Sequence, residues 1–518
     1  MRAQRIKLPP LALLNLDDPE SGRKSQEQAR KGVVLLERAF SDFGVDAKVV
    51  RHVVGPTVTR YEVEPAPGVR VSRISQLDDD IQRILEAVGV RIEAPVPGTS
   101  IVGVEVGNQK AATVSLGSVM NTPDFRRPAA RHPLTCAFGR DVAGTPIVGN
   151  LAEMPHLLVG GTTYSGKSVC LNAIILSLVM NNTPDQVQLV LVDPKRVELT
   201  LYQGMPHLYA PVISSPKAAV AVLQQVMREM DRRNMLFHKL RVRNIGEYNE
   251  LTSRGETGDY ENLPYIVVII DELADLMSTA PGEFEPTVCR LAQLARASGI
   301  HLVLATQRPS AQTVTGAIKA NISARIAFRV AQQIESRIIL DVNGAERLRG
   351  HGDMLYYDGR TYPIRGQGSL VTSAEIQKVL NYLKDQLTPS YSFEPAEESE
   401  QEVSGQRAAD DILDDDKFEA ALRLVLERQE ASVSIIQRNF GVGWSRAGRL
   451  MDMMYRLGIV GPYEGSKPRQ ILVDPAEYLA LLAQGGIDAL RNRKPDEEPK
   501  PQLPLDEGEP DESTSEKE

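Results

Sequence analysis

The eight residues from Gly161 to Ser168 have the types and the spacing of a phosphate-binding loop, G-x-x-x-x-G-K-[ST]. The backbone N–H groups of such a loop and the N-terminus of a following helix converge on one place and favour an anion there. We expect Lys167 to reach the β- and γ-phosphates of ATP and the Ser168 hydroxyl to hold Mg²⁺. The residues predicted to line this phosphate site are Gly161, Thr162, Thr163, Tyr164, Ser165, Gly166, Lys167, Ser168 and Val169.

A pair of carboxylates forms the second candidate group, because Asp271 and Glu272 directly follow the uncharged apolar run 266–270. In an open α/β sheet, ligands sit at the carboxyl ends of the strands. Asp271 is expected to orient Mg²⁺, and Glu272 is expected to polarise the attacking water. Gln307 follows another apolar run, 301–305, and is a candidate sensor of the γ-phosphate, with ordinary turn chemistry as the alternative.

Two arginines, Arg325 and Arg337, are candidates for a residue supplied in trans by a neighbouring subunit. Such an arginine stabilises the charge that develops during phosphoryl transfer. The alternative for each is a surface or salt-bridge residue.

Short apolar runs must position these side chains. The run 157–159 predicts a buried strand that enters the loop, and 169–179 predicts the helix that leaves it. Further strands are predicted at 188–192, 266–270, 301–305, 322–330 and 354–357. Their alternation with helices, including a long one at 215–237, predicts an α/β fold with a doubly wound, largely parallel sheet.

The N-terminal part predicts a small α+β domain without catalytic residues, which favours a packing or oligomer-facing role. Its predicted elements are a helix at 26–43, strands within 49–64, a helix at 75–88 and a strand at 101–106. We place the domain boundaries at 1–25 (flexible lead), 26–120 (α+β domain), 121–388 (motor), 389–410 (acidic linker), 411–475 (C-terminal domain) and 476–518 (acidic tail).

Helices at 418–427, 432–440 and 445–457, followed by a hairpin, predict a C-terminal winged helix-turn-helix. Arg446 and Arg449 lie near the start of the third helix, where a recognition helix contacts base edges. Lys467 and Arg469 are expected on the wing, near phosphate. A winged helix that binds protein instead remains the alternative.

The composition limits the possible partners and the cellular setting of the chain. The net charge is −9, but residues 391–416 and 492–518 carry −9 and −6, so the rest of the chain carries +6 and is compatible with nucleic acid. Three widely separated cysteines argue against a disulfide framework and fit a reducing, cytoplasmic setting. The sequence has neither an apolar run of about 18 residues nor a signal peptide, so we expect a soluble chain.

The motifs in this order resemble the motor and tail portion of the FtsK/SpoIIIE family of bacterial DNA translocases. The stretches that carry the resemblance include 7–11 (KLPPL), 154–159 (MPHLLV), 161–168 (GTTYSGKS), 193–195 (DPK), 271–277 (DELADLM), 305–310 (ATQRPS) and 350–355 (GHGDML). Tyr164 stands where the family usually has glycine, and Ala311-Gln312 also departs from the usual residues.

The resemblance implies a ring-forming α domain, a RecA-like P-loop NTPase motor and a winged-helix γ domain. It also implies a homo-hexamer around double-stranded DNA, a possible XerD-type recombinase partner, and membrane attachment, at the cytoplasmic face of the inner membrane, only through a further N-terminal region. Residues 310–319 correspond to a DNA-gripping pore loop. The residues expected to contact DNA are Lys319, Thr315, Arg438, Arg446, Arg449, Lys467 and Arg469.

The function predicted from the sequence is ATP-driven translocation of duplex DNA in chromosome segregation and cell division or sporulation. One alternative is a membrane-associated secretion ATPase that moves proteins. Another is a DNA-binding protein whose phosphate loop no longer supports hydrolysis, as Tyr164 would suggest.

Overall fold

The structure is a computed structural model that describes residues 6–17, 23–87, 89–94, 96, 99–109, 111–258, 260–395, 417–462 and 468–485. The chain divides into two compact units, 1–397 and 398–518. Each unit is described by itself below.

A four-stranded antiparallel sheet forms the N-terminal part of the first unit, in the order β1-β2-β4-β3. Its elements are α1 (Arg23–Asp42), β1 (Ala47–Val54), β2 (Val58–Pro65), α2 (Val71–Ser75), α3 (Asp78–Ile84), β3 (Val90–Glu93) and β4 (Val102–Gly107). Helix α1 buries Leu36 and Phe40 against Val63 and Val104 of the sheet. The helix predicted at 75–88 is present but shorter, at 78–84, and the short helix α2 ends just before it. Three consecutive aspartates, 78–80, start a separate helix there, since acidic side chains favour a helix N-terminus.

A mixed nine-stranded sheet forms the centre of the first unit, in the order β6-β5-β13-β12-β11-β7-β10-β9-β8. Its strands are β5 (Thr135–Asp141), β6 (Pro146–Asn150), β7 (His156–Gly160), β8 (Val187–Val192), β9 (Tyr265–Ile270), β10 (Ile300–Thr306), β11 (Ala324–Phe328), β12 (Asp353–Tyr357) and β13 (Ile364–Gly368). The five strands from β11 to β8 are parallel, and the other four are antiparallel. The expectation of a largely parallel sheet therefore describes only five of these strands.

Helices cover both faces of this sheet, so the five parallel strands are apolar on both sides. In β7, Leu157 and Val159 enter one core and Leu158 enters the other. The helices are α4 (Leu116–Met120), α5 (Pro123–Ala129), α6 (Lys167–Val179), α7 (Pro216–Leu240), α8 (Ile245–Ser253), α9 (Leu273–Thr279), α10 (Pro281–Leu294), α11 (Gly316–Asn321), α12 (Gln333–Leu340) and α13 (Ser373–Lys384). Helix α6 is apolar nearly all round and is buried along almost its whole length.

The second unit is helical, with a small pairing of extended segments. It contains α14 (Phe418–Arg428), α15 (Val433–Phe440), α16 (Trp444–Arg456) and α17 (Pro475–Gly485). Antiparallel bridges join Ala431 to Arg469 and Val460 to Ile471. Three helices with bridges of this kind match the predicted winged helix. Residues 463–467, which include the predicted wing residue Lys467, lie outside the described residues.

The three cysteines are free. Cys136 and Cys170 are buried, and Cys289 on α10 is partly exposed. Burial raises the pKa of Cys170 to about 12. Among the described helices, none combines the length and the apolar composition that a membrane span requires.

Candidate active site

The phosphate loop connects the end of β7 to the start of α6, as the sequence predicts. Gly166 has φ 117°, and a Cβ at this position would lie 2.7 Å from the backbone of Gly352. The Gly352 N–H donates to the Ser165 carbonyl at 2.7 Å, so the segment 350–352 packs directly on the loop. Glycine is therefore required at 166 both for its backbone conformation and for this close approach.

Tyr164 has φ 61°, in the left-handed region that ordinarily favours glycine. Its side chain is 89 % exposed and points out of the loop. The bulky ring therefore leaves the inner surface of the loop open, although it adds an aromatic group at the mouth of the site.

Lys167 and Asp271 form a buried ion pair at the base of the loop. The Lys167 Nζ lies 2.6 Å from Asp271 Oδ1 and 2.6 Å from the Asp271 carbonyl oxygen. Burial raises the pKa of Asp271, although the ammonium of Lys167 opposes that effect. The second carboxylate oxygen, Oδ2, is buried without a hydrogen-bond partner among the described residues.

Four hydrogen-bond donors surround the Glu272 carboxylate. Its Oε1 accepts from the Thr306 hydroxyl at 2.7 Å and from the Ala274 N–H at 3.3 Å. Its Oε2 accepts from the Lys195 ammonium at 3.0 Å, and the Gln307 N–H lies 3.1–3.2 Å from both oxygens. Burial would raise the pKa of Glu272, but the bonds from Thr306 and Lys195 outweigh it and hold that pKa below its ordinary value.

Gln307 joins the loop to the carboxylates. Strand β10 lies between β7, which enters the phosphate loop, and β9, which precedes Asp271 and Glu272. The Thr163 hydroxyl donates to Gln307 Oε1 at 3.1 Å, while the Gln307 N–H faces Glu272. Gln307 therefore contacts the phosphate loop through its side chain and Glu272 through its backbone N–H.

The donor set is suited to Mg²⁺ held largely by water and phosphate. The Ser168 hydroxyl donates to Glu198 Oε1 at 2.7 Å, and Asp271 offers its unpartnered Oδ2. Within the described ranges, no cluster of three or more His, Cys, Asp or Glu side chains could hold a metal ion alone. Mg²⁺ commonly uses one or two protein ligands together with substrate phosphates, so Ser168 and Asp271 fit the ion.

A cavity of about 990 Å³ opens beside the loop. Its walls include Thr162, Lys167 and Ser168 of the loop region, Gln307 and the 349–353 segment. A pocket of this size accommodates a nucleotide.

The two candidate arginines differ in accessibility. Arg325 is buried, and its guanidinium binds the Asp341 carboxylate and the Ile339 carbonyl oxygen. Arg337 is exposed, and its Nε donates to Asn343 Oδ1 at 2.7 Å. Arg337 is therefore the better placed of the two to reach a neighbouring subunit.

Lys319 and Thr315 both belong to the predicted pore loop, 310–319, but the structure makes only its first part a loop, because Thr315 caps α11 and Lys319 lies within that helix. The Lys319 ammonium pairs with Asp341, the same carboxylate that binds Arg325. Thr315 caps α11, and its hydroxyl donates to Glu285 Oε1 at 2.6 Å. Two cations on one carboxylate leave a net positive charge beside this loop.

In the second unit, Arg438 is exposed on α15, and Arg446 is partly exposed on α16. The side chain of Arg449 is outside the described part of the structure. Arg469 is 8 % exposed; it pairs with Asp452 at 2.6 Å and lies over the Tyr455 ring. Arg469 therefore packs against α16 rather than standing free on a wing.

Two residues that touch this site were not singled out from the sequence, Lys195 and Glu198. Both follow β8, the strand next to β9. The DPK motif at 193–195 is part of the family resemblance, and it was the sequence feature from which a role for Lys195 in the site could have been predicted.

These features define a P-loop nucleotide-binding core with an N-terminal α+β part and a C-terminal winged-helix unit. Three family models match in order: FtsK alpha domain at residues 8–108, FtsK/SpoIIIE family at 120–311 and Ftsk gamma domain at 413–474. The chain belongs to the FtsK/SpoIIIE family.

Curated relatives agree with this assignment. The chain is 46 % identical to the DNA translocase FtsK of Halalkalibacterium halodurans over 471 residues, which are 90 % of this chain and 59 % of the relative. It is also 46 % identical to the DNA translocase SpoIIIE of Bacillus subtilis over 481 residues, 91 % of this chain and 60 % of the relative. The chain thus spans about three-fifths of the length of these relatives.

Among solved structures, one that the chain resembles is the pCW3 conjugation coupling protein TcpA in its monomer form with ATPgS. It is 24 % identical, with a TM-score of 0.47 over 68 % of this chain and 99 % of that one. The cytoplasmic domain of the Type VII secretion ATPase EccC of Thermomonospora curvata is 23 % identical, with a TM-score of 0.47 over 55 % of this chain and 36 % of that one.

Proposed function

We propose that this chain is the motor and tail portion of an ATP-driven translocase of double-stranded DNA, acting in chromosome segregation and cell division or sporulation. The observation that carries the proposal is that Lys167, which lines a cavity of about 990 Å³, pairs with Asp271, the neighbour of Glu272 in the chain. The names of the relatives, DNA translocase FtsK and DNA translocase SpoIIIE, support the choice of DNA as cargo.

The residues act in distinct ways on bound ATP. Lys167 exchanges its ion pair with Asp271 for the β- and γ-phosphates, and Ser168 and Asp271 hold Mg²⁺, which neutralises phosphate charge when bound. Glu272 accepts the proton of the attacking water, and Gln307 senses the γ-phosphate through its contact with the loop. The exposed Arg337 of one subunit acts at the site of the next subunit in a homo-hexameric ring.

DNA contact is assigned to the pore loop, with Lys319 and Thr315, and to the winged helix. Contacts of Lys319 with the DNA backbone carry no sequence information, whereas Arg446 and Arg449 at the start of α16 supply base readout. A XerD-type recombinase is a further partner of the second unit. The domain boundaries stated above belong to the same proposal.

Duplex-stimulated ATP hydrolysis tests the proposal. We expect the wild-type chain to hydrolyse ATP faster with duplex DNA, and we expect Lys167→Ala to abolish the activity. An exposed substitution on another helix, Lys378→Ala, serves as the matched control and keeps wild-type activity. Hydrolysis that duplex DNA leaves unchanged, or full activity in Lys167→Ala, contradicts the proposal.

The hexamer and the cargo are tested together by electron microscopy with duplex DNA and a slowly hydrolysed ATP analogue. We expect six-fold rings that enclose DNA. Rings that form without affinity for DNA would instead favour the secretion ATPase.

A further inference from the structure

The loop 193–199, directly after β8, contacts both functional ends of the site. Lys195 binds Glu272, and Glu198 binds Ser168. The Asp193 carboxylate holds the loop together, because its Oδ2 accepts from the N–H groups of Glu198 and Leu199 at 3.0 and 2.8 Å. One folded loop therefore engages the predicted general base and the predicted Mg²⁺ ligand at the same time.

The Glu272 carboxylate has no acceptor capacity to spare in this arrangement. Its donors are the Thr306 hydroxyl, the N–H groups of Ala274 and Gln307, and the Lys195 ammonium. An ionised carboxylate offers about four lone-pair sites, so four donors fill it. A general base must accept a hydrogen bond from the water that it activates, and this requires one donor to leave.

Lys195 is the donor that can leave with least disturbance. The Ala274 and Gln307 donors are backbone groups, and the Thr306 hydroxyl is buried at the end of β10. The Lys195 side chain, by contrast, is 36 % exposed, and its ammonium also lies 4.0 Å from Asp275 Oδ2. A flexible lysine between two carboxylates can change partners without moving a strand.

We propose that Lys195 is a positioning residue that keeps Glu272 in a resting, fully hydrogen-bonded state and releases it when a phosphate group draws the ammonium away. This inference rests on the proposed ATPase function. The phosphate belongs either to the nucleotide or to the DNA backbone, and the experiment separates the two sources.

Steady-state hydrolysis with and without duplex DNA provides the first test. We expect Lys195→Ala to raise the DNA-independent rate roughly threefold to tenfold, consistent with losing about one partly exposed charge-assisted hydrogen bond. The stimulation by DNA falls accordingly. Lys195→Arg, which keeps the cation, retains the wild-type ratio. Val197→Ala, in the same loop but 70 % exposed, is the control and behaves as wild type.

Binding of a fluorescent ATP analogue separates the two phosphate sources. Equal dissociation constants in wild type and Lys195→Ala assign the phosphate to the DNA backbone, and weaker binding by Lys195→Ala assigns it to the nucleotide. Should Lys195→Ala aggregate, Lys195→Gln replaces it, because it keeps the side-chain length without the charge. A basal rate at or below the wild-type level in the folded variant overturns the proposal.

A second test measures structure and does not require ATP hydrolysis. The distance between Lys195 Nζ and Glu272 Oε2 is measured by electron cryomicroscopy with the ATP analogue alone, with duplex DNA alone and with both. We expect it to exceed about 4 Å, beyond an ion pair, in at least one of these states. Retention of the 3.0 Å contact in all three overturns the inference. Absence of hydrolysis by the wild-type protein contradicts only the proposed function.

Discussion

Arg365 of the nine-stranded sheet and Glu105 of the four-stranded sheet form a buried ion pair, with 3.0 Å between Nη1 and Oε2. Arg365 also binds both oxygens of Asp353 on β12, and Arg91 binds Glu105 at 3.1 Å. Asp353 in turn accepts from the Arg349 N–H, next to the segment that packs on the phosphate loop. Ion pairs followed by backbone hydrogen bonds therefore connect the N-terminal sheet to the phosphate loop.

We expect Arg365→Met to destabilise the first unit by about 3–5 kcal/mol, because it leaves the carboxylates of Glu105 and Asp353 buried without their main partner. Chemical unfolding followed by circular dichroism measures the change. The control is Arg254→Met, which removes an exposed pair with Glu250 and should cost less than about 0.5 kcal/mol. Equal losses in both variants would refute a special role for the buried pair.

The left-handed backbone at Tyr164 predicts an unusual order of substitutions. Glycine adopts φ 61° freely, whereas a β-branched residue is strained there. We expect Tyr164→Val to be about 1–2 kcal/mol less stable than Tyr164→Gly in thermal unfolding. At the exposed Tyr362, which lacks a positive φ, the same two substitutions should show no preference for glycine. Valine and glycine of equal stability at 164 would contradict the backbone geometry.

Three buried histidines predict a loss of stability in acid. Burial lowers the pKa of His156 to about 3 and the pKa values of His207 and His301 to about 4. The unfolded chain binds these protons near pH 6.5 and the folded chain does not, so stability is lost progressively as pH falls from 6.5 towards 4. At pH 5 the loss is about 2 kcal/mol per histidine.

Guanidinium unfolding at pH 7.5 and pH 5 checks this prediction. We expect His207→Gln to show a smaller difference between the two pH values than the wild type does. His132→Gln, an exposed substitution, should leave the difference unchanged. A difference that persists in full in His207→Gln would exclude that histidine as a contributor.

The pairing of Lys319 with Asp341 predicts opposite effects of two substitutions on DNA binding. Lys319→Met should weaken duplex binding and reduce the slope of log affinity against log salt by about one. Asp341→Asn should strengthen binding, since it frees both Lys319 and Arg325 from their shared carboxylate. Fluorescence anisotropy across a salt series measures both effects, with Lys378→Met as the control. Unchanged slopes in both variants would remove Lys319 from the DNA path.

The centre of the sheet could be predicted from the sequence because its signals are local. An uninterrupted apolar run precedes the glycine loop in β7 and the carboxylates in β9, and each motif fixes its own strand end. The antiparallel strands β5, β6 and β13 were missed because each contains glycine and polar residues and none shows a regular alternation of apolar and polar residues. Neighbours supplied by distant parts of the chain stabilise such strands, and periodicity does not record those neighbours.

The contact of Lys195 and the burial of Arg325 could not be predicted for the same reason, because both depend on distant parts of the chain. The position of Lys195 in the sequence does not predict its contact with Glu272, because that contact exists only where β8 and β9 are adjacent in the sheet. Likewise Arg325 is an inward-facing residue of β11, and its burial with Asp341 depends on how α12 ends. Pairings between strand ends are a property of sheet order, which local motifs do not determine.

The position of β10 between β7 and β9 has a geometric consequence. Adjacent strands lie about 4.8 Å apart, so the interposed strand separates the axes of β7 and β9 by roughly 9.6 Å. The phosphate loop and Glu272 therefore start from strands that do not touch each other. Any communication between them passes through Thr306 and Gln307 at the end of the interposed strand, which bond to Glu272 on one side and to Thr163 of the loop on the other.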